Sequence, residues 1–458
     1  MAKATVQYVC SSCGAKAPQM LGRCPVCGEW GTYEEEILTP TAKRSYSASG
    51  LSAAGGQPKR LQDVEATEEM RLDMHNGELN RVLGGGLVPG SLVLLGGEPG
   101  IGKSTLALQV LMQQGERKTF YASGEESVRQ LKLRAERLAG DAENLYISSE
   151  TSLERILEQV KEIEPEMVVI DSIQTIGTEA IEASIGSLSQ VRECAARILE
   201  FAKTRNIPFF IIGHINKEGS LAGPKVLEHI VDTVLQFEGD QQYMYRILRA
   251  QKNRFGSTSE LGIYEMQQNG LREVSNPSEL LLSTAREGLS GIAIAAAVEG
   301  ARPFLIEVQA LVSSAAYGTP QRSSTGFDGR RLNMLLAVLE KRVGFKLLQK
   351  DVFLNIAGGL RVQDPAIDLA VLAAVLSSNM DIALDAGTCL CGEVGLAGEI
   401  RPVNRIEQRI QEAQKLGFRR IMIPAEQVER LNRSHKSGIE VVPVKKVTDA
   451  FRLLIKKD

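Results

Sequence analysis

The sequence carries a run that could hold a triphosphate, Gly97-Glu98-Pro99-Gly100-Ile101-Gly102-Lys103-Ser104-Thr105, which fits the G-x₄-G-K-[ST] pattern. Glycines there let backbone N–H groups wrap phosphates at a helix N-terminus, and the lysine reaches the β/γ-phosphates while the hydroxyl binds Mg²⁺. Lys103 and Ser104 are expected in those roles, with ATP and Mg²⁺ as ligands. Met167–Asp171 is an apolar strand ending in an acid, which places Asp171 near the same Mg²⁺. Glu125 follows the short strand Thr119–Ser123, at the sheet edge where a carboxylate could polarise a water. An exposed loop acid is the plainer reading of Glu125. His214 follows the strand-like Ile207–Ile212 at that same edge, either as a sensor of the terminal phosphate or as a structural histidine.

Cysteine spacing is a second signal. Four of the seven cysteines form Cys10-x₂-Cys13 and Cys24-x₂-Cys27, each pair followed by glycine. Two such knuckles suit tetrahedral Zn²⁺, although the gap between the pairs is shorter than the usual ribbon spacing. Two disulfides are the competing reading, disfavoured in a chain without a secretory leader.

These groups need elements to position them. Strand, glycine loop and the helical-looking Leu106–Gln114 follow one another as a parallel α/β nucleotide sheet requires. Residues 37–62 are rich in Ser, Ala, Gly, Thr and Pro without apolar periodicity and read as a flexible linker. They separate a four-cysteine zinc module at 1–36 from the nucleotide domain at 63–275, and a further domain fills 276–458. With 458 residues, three structured regions are affordable, and no apolar run approaches a membrane span. No membrane association is expected, and the cytoplasm is the expected compartment. The formal net charge of −3 hides an asymmetry: +3 over residues 1–60, −10 over 61–275 and +4 over 276–458. Net charge therefore decides nothing about nucleic acid.

Lys252 and Arg254 stand i, i+2 at the end of the strand-like Tyr245–Ala250, a spacing that points both to one face, and nothing in the adjacent sequence neutralises them. The order of P-loop, acid after a strand, apolar strand ending in Asp, and polar sensor resembles that of RecA-like and DnaB-like ATPases. Lys252-Asn253-Arg254-Phe255-Gly256, the four-cysteine motif, SGEES and GHINKEG together resemble the bacterial RadA (Sms) recombination family over essentially the whole chain. The resemblance implies that Glu125 activates water, that Asp171 is the Walker B acid and that His214 is the sensor. It also implies that Lys252 and Arg254 reach either the γ-phosphate held by a neighbouring subunit or DNA.

Residues 276–458 resemble the proteolytic domain of Lon, with Gly392–Gly398 giving the clearest register. Aligning that family's nucleophile motif onto Gln363–Asp368 places Ala366 at the serine, and Glu407 falls where the lysine should be. Peptide hydrolysis is then not expected, because a serine nucleophile needs both groups. Arg401, Arg405 and Arg409 recur at i, i+4, i+8 and would form one basic stripe on a helix, either solvated or gripping duplex phosphates. Arg330/Arg331 and Arg419/Arg420 add charge.

The expected fold is α/β: an N-terminal zinc ribbon, a RecA-like P-loop core and a C-terminal α+β Lon-like domain. The family resemblance implies a hexameric ring that hydrolyses ATP, moves on single-stranded DNA and extends branched recombination intermediates alongside the RecA recombinase. Loops at about Gln174–Ser189 and Asn216–Lys225, including Lys217 and Lys225, would line the DNA channel. The alternatives are an ATP-dependent Lon-type protease, and a passive mediator that uses ATP as an assembly ligand.

Overall fold

The structure is a computed structural model. It describes residues 5–10, 15–26, 28–38, 60, 70–138, 142–214, 224–239, 245–283, 288–315, 320–347, 349–359, 361–429, 431 and 438–455. Expectations placed on Cys13, Cys27, Lys217, residues 39–59 and the side chains of His214 and Lys225 lie outside the described residues. The chain divides into two compact units, Met1–Val274 and Ser275–Asp458.

The first unit opens with a three-stranded antiparallel sheet of β1 (Thr5–Cys10), β2 (Lys16–Ala17) and β3 (Tyr33–Leu38), in the order β2-β1-β3. Helix α1 (Gly77–Leu83) then leads into alternating strands and helices. These are β4 (Leu92–Gly97), α2 (Lys103–Met112), β5 (Thr119–Ser123), α3 (Val128–Arg137), β6 (Leu145–Ser149), α4 (Leu153–Ile163), β7 (Met167–Asp171), α5 (Leu188–Arg205), β8 (Phe209–His214), α6 (Pro224–Ile230) and β9 (Thr233–Glu238). An antiparallel extension of β10 (Tyr245–Asn253), β11 (Leu261–Gln267) and β12 (Gly270–Glu273) completes a sheet ordered β12-β11-β10-β9-β4-β8-β7-β5-β6.

The strands from β9 to β6 are mutually parallel, and this explains their unbroken apolar runs. Both faces are covered, so alternate residues feed two cores. Val93, Leu95, Val169, Phe210 and Ile212 pack with Leu106 and Val110 of α2 on one face. Leu92, Leu94, Val168, Ile170, Phe209 and Ile211 pack with Ile156, Val160 and Ile198 of α4 and α5 on the other. Truncating any of these to alanine is expected to cost about 2–5 kcal/mol. The two cores hold the C-terminal ends of β4, β5, β7 and β8 along one edge, where the chemistry-bearing residues emerge.

The second unit runs α7 (Pro277–Leu281), β13 (Ile292–Glu299), β14 (Arg302–Ser314), β15 (Arg322–Thr325), α8 (Gly329–Val338), β16 (Lys350–Ile356), α9 (Asp368–Met380), β17 (Thr388–Leu390), β18 (Glu393–Val394), β19 (Ile400–Arg401), α10 (Ile406–Lys415), β20 (Arg420–Pro424), α11 (Ala425–Val428), β21 (Glu440–Val444) and α12 (Val447–Ile455). Its mixed sheet has the order β15-β16-β14-β13-β17-β20-β21, and β18 and β19 form a separate hairpin. Helix α9 is buried all round, from Leu369 to Leu376, as its apolar sequence requires.

The chain enters α9 through a 3₁₀ turn, Pro365–Ile367, which the Asp364 carboxylate caps by accepting from Ala366 N at 3.0 Å. Helix α8 passes after Val338 into a π turn, Leu339–Val343, closed by Gly344 at φ 88°. One expectation for this unit needs correction: the basic stripe does not exist as one helical face. Arg401 ends strand β19, Arg405 precedes α10 in a left-handed conformation (φ 57°), and Arg409 alone lies within the helix. Arg409 is 2% exposed. It donates to Ala296 O at 2.6 Å, to Asn404 O at 2.9 Å and to the Asp364 carboxylate at 2.6 Å. A guanidinium that is itself buried cannot reach a phosphate. Arg331 is likewise drawn inward, onto the buried Asp368.

Candidate active site

Strand β4 delivers Gly97 to the sheet edge, and the loop to α2 turns on Gly100 (φ 76°) and Gly102 (φ 115°), conformations that favour glycine. Gly102 caps α2 with no side-chain hydrogen bond, so the first-turn amides remain for an anion. Lys103 is buried, and its Nζ folds back to donate to Gly97 O at 2.7 Å and Glu98 O at 2.9 Å. Burial lowers its pKa to about 8, against the opposing pull of Asp171, Glu125 and Glu98. The ammonium thus rests on carbonyls of the very loop a phosphate would fill.

The acids stand where the sequence places them. β5 and β7 pair in parallel with Ser123 opposite Asp171. The Asp171 carboxylate accepts from Tyr121 OH at 2.5 Å, and burial beside that carboxylate drives the Tyr121 pKa well above its usual value. One residue on, Ser172 Oγ donates to Glu125 Oε1 at 2.6 Å. The Glu125 turn is fixed by Ser123 Oγ, which accepts from Glu125 N and Glu126 N at 3.2 and 2.9 Å. Residue His214, at the end of β8, is in register with Gly97 of β4. Tyr121 and Ser172 escaped the sequence reading. Their signal was faint: a tyrosine on a buried strand, and a hydroxyl directly after Asp171.

Lys252 and Arg254 lie elsewhere, and the expectation that both share one strand face needs correction, while their partners come from residues distant in sequence. The ladder between β9 and β10 shifts register between Ala250 and Lys252, and Arg254 follows the end of β10. Lys252 Nζ donates to Glu228 O and Val231 O at 2.5 and 2.7 Å, capping the last turn of α6, and burial lowers its pKa. Arg254 Nη1 pairs with Asp232 Oδ1 at 3.1 Å, while Asp232 Oδ2 accepts from Lys203 Nζ at 2.9 Å and from Leu92 N at 3.1 Å. Asn253 donates to Val82 O and Leu83 O, both at 3.2 Å. Gly256 lets the turn press on α1: a Cβ there would stand 3.0 Å from Gly84 Cα. Asp232 and Leu92 mark the N-terminal end of β4, one strand length, about 16 Å, from the P-loop at its other end.

The segment after Asp171 is pinned by Gln190, whose Nε2 donates to Thr178 O, Ile181 O and Ala183 O at 3.1, 3.2 and 2.9 Å. Between Gln174 and Ser189 it carries Glu179 and Glu182 and no Lys or Arg. Any phosphate contact there would fall to hydroxyls and backbone amides.

In the small sheet, Cys10 and Cys24 are buried in one cluster with Ala17 and Tyr33. Cys10 N donates to Ala15 O at 2.9 Å and Cys24 N to Glu29 O at 2.8 Å. Two buried thiols in one small sheet suit a Zn²⁺ site. In the second unit, Ala366 at the aligned nucleophile position is fully buried and has no hydroxyl to attack with.

A family model described as an AAA domain matches residues 57–220, a rubredoxin metal binding domain matches 8–35, and subunit ChlI of Mg-chelatase matches 327–427. The chain is 49% identical over 455 residues to the DNA repair protein RadA of Bacillus subtilis (strain 168), with 99% of both chains covered. It is 49% identical over 453 residues to the DNA repair protein RadA of Listeria monocytogenes, with 98% of both chains covered. This chain belongs to the RadA family. Along the chain a zinc ribbon, an ATPase core and a ChlI-like domain follow in order. Among solved structures, this chain is similar to a KaiC-like protein from Pyrococcus horikoshii OT3 (20% identity, TM-score 0.38, 45% of this chain and 99% of that one) and to the RadB recombinase (22%, 0.36, 44% and 100%).

The residues fit ATP, Mg²⁺ and Zn²⁺, which an AAA domain and a rubredoxin metal binding domain imply. The loop amides and Lys103 could hold ATP, Ser104 and Asp171 could hold Mg²⁺, and the cysteine pairs could hold Zn²⁺. Among the described residues no helix is long and apolar enough to cross a membrane.

Proposed function

We propose that this RadA family chain is a DNA-dependent ATPase of the cytoplasm that moves on single-stranded DNA and drives branch migration of recombination intermediates during DNA repair. It would act as a hexameric ring alongside the RecA recombinase. Glu125 would orient the attacking water, Asp171 and Ser104 would hold Mg²⁺, and Lys103 would offset negative charge on the β/γ-phosphates. Lys252 and Arg254 complete the site of the neighbouring subunit, and His214 senses the terminal phosphate. A trans arginine stabilises the charge that develops in phosphoryl transfer.

One observation supports this reading above others: the Lys252–Arg254 turn sits at the opposite end of β4 from its own P-loop. Cations so placed are remote from their own nucleotide and suited to a neighbour's. Intact Glu125 and Asp171 argue against a passive mediator, which has no use for a water activator. Buried Ala366 argues against a protease. The test is ATP turnover with and without single-stranded DNA, beside Lys103→Ala and a branched-DNA migration assay. Stimulation by DNA that is lost in Lys103→Ala supports the motor, and turnover indifferent to DNA refutes it.

A further inference from the structure

Glu125 has a difficulty as a general base: it is exposed, on a loop, and an exposed glutamate samples many rotamers. A base that acts on a water held beside a phosphate must hold one orientation to within a fraction of an ångström, and misplacement by 1 Å can cost about a hundredfold. Its neighbours on the adjacent strand supply that orientation.

The ladder between β5 and β7 ends with Ser123 opposite Asp171 and is prolonged by one bond, Gly124 N to Asp171 O at 2.8 Å. Beyond it, Ser172 Oγ donates to Glu125 Oε1 at 2.6 Å. An ionised carboxylate only accepts, so the single hydroxyl proton of Ser172 is committed to Glu125. Ser172 is itself fully buried. Its backbone is clamped by Thr175, whose Oγ1 donates to Ser172 O at 2.9 Å and accepts from Ser172 N at 3.3 Å. Across the same strand pair, Tyr121 of β5 donates to Asp171 of β7. The two bonds run in opposite directions: β5 holds the metal-binding acid, and β7 holds the acid that addresses water.

We propose that Ser172 is a positioning residue for ATP hydrolysis, which fixes the Glu125 carboxylate relative to the metal site by tying it to the residue next to Asp171. This rests on Glu125 being the water-activating acid. Because Asp171 and Ser172 are consecutive, the Mg²⁺ ligand and the base orienter move as one unit. A shift at the metal is therefore transmitted to the base over a single peptide.

The experiment compares Ser172→Ala, Glu125→Gln and the double variant in the full-length chain, reading kcat, KM and equilibrium ATP affinity separately. Ser172→Gly is carried in parallel as a second variant without the hydroxyl. Loss of the hydroxyl is expected to lower kcat about tenfold or more while KM and ATP affinity stay within about twofold, since neither substitution touches the P-loop. In the Glu125→Gln background the further loss is expected to vanish, because Ser172 acts through Glu125. Glu125→Gln at normal turnover overturns the assignment of the base and this proposal with it. An inactive Glu125→Gln beside Ser172→Ala at normal kcat overturns this proposal alone. So does a Ser172→Ala defect that appears equally in ATP affinity, or one that persists in full in the double variant.

Discussion

Asp232 and Arg254 form a 3.1 Å ion pair beneath the first residue of the strand that carries the P-loop, Leu92, whose amide the same carboxylate accepts. The carboxylate is 2% exposed, whereas the guanidinium is 53% exposed. One end of the pair is thus anchored in the fold, and the other is presented outward. For a cation intended for a neighbouring subunit, this arrangement holds the base of the side chain and leaves its direction adjustable.

Arg254→Ala is expected to leave ATP binding intact and to lower turnover in the assembled oligomer by about 10³-fold or more. Gel-filtered oligomer assayed for hydrolysis measures this directly, and unchanged turnover in a well-formed ring refutes the trans role. Mixing Arg254→Ala with Lys103→Ala subunits sharpens the result. Boundaries that pair an intact P-loop with an intact Arg254 should recover part of the activity that neither variant has alone.

Asp232→Ala removes the partner of both Lys203 and Arg254 and leaves Leu92 N unpaired. A loss of about 2–4 kcal/mol is expected, reduced from the fully buried case because both cations are partly exposed. Denaturant unfolding checks the value. Arg254→Ala should cost much less, which separates the fold-holding role of Asp232 from the presented role of Arg254.

The parallel core and the edge where the chemistry emerges were legible because buried strands have an unmistakable composition. Leu92–Leu95, Val168–Ile170 and Phe209–Ile212 could be little else, and Lys103, Asp171 and Glu125 follow such strands directly. Asp232 was not legible. It precedes β9 and meets Arg254 because β10 pairs antiparallel with β9, setting Asn253 opposite Thr233. Arg409 was misread for a related reason. Periodicity of three arginines describes a helix face, but Pro402 and the left-handed Arg405 start the helix late, and burial turns the last arginine toward Asp364. Local pattern reads single elements well; partners brought from distant strands are set by the tertiary fold.

Lys103 sets a pH dependence with a definite sign. Its pKa falls to about 8 in the fold, below the ordinary lysine range, because burial disfavours the charged form. Phosphate binding requires that charge. ATP affinity is therefore expected to be steady below pH 8 and to weaken by up to about tenfold per unit above it, with net proton uptake on binding. The ligand-free fold behaves oppositely. Between pH 8 and the unfolded lysine value the unfolded chain binds more protons, so this residue's contribution to stability rises with pH. Calorimetry of ATP binding in buffers of different ionisation enthalpy tests the uptake, and Lys103→Met should abolish both trends.

Cys24→Ser tests the metal reading of the small sheet. Loss of one thiolate is expected to lower bound zinc from one ion per chain toward none, since structural sites need all four ligands. Metal analysis of the purified chain gives the count. ATP binding should be unaltered in the same preparation, because the P-loop residues belong to a different sheet.

Salt dependence separates the arginines that were grouped by periodicity. Arg401 and Arg405 are exposed, with Arg401 paired to Glu399 at 2.7 Å, while Arg409 is buried on Asp364. If the exposed pair contacts phosphate, replacing both with alanine lowers the slope of log K against log salt by about 1.8 on duplex DNA, close to one counterion for each contact. Arg409→Ala should leave that slope unchanged and instead cost about 2–4 kcal/mol of stability, because it removes a buried guanidinium and leaves the Asp364 carboxylate with backbone donors alone. An unaltered slope in Arg401→Ala/Arg405→Ala removes this surface from the DNA path. A slope change in Arg409→Ala, with stability preserved, would mean that the buried pair opens when DNA binds.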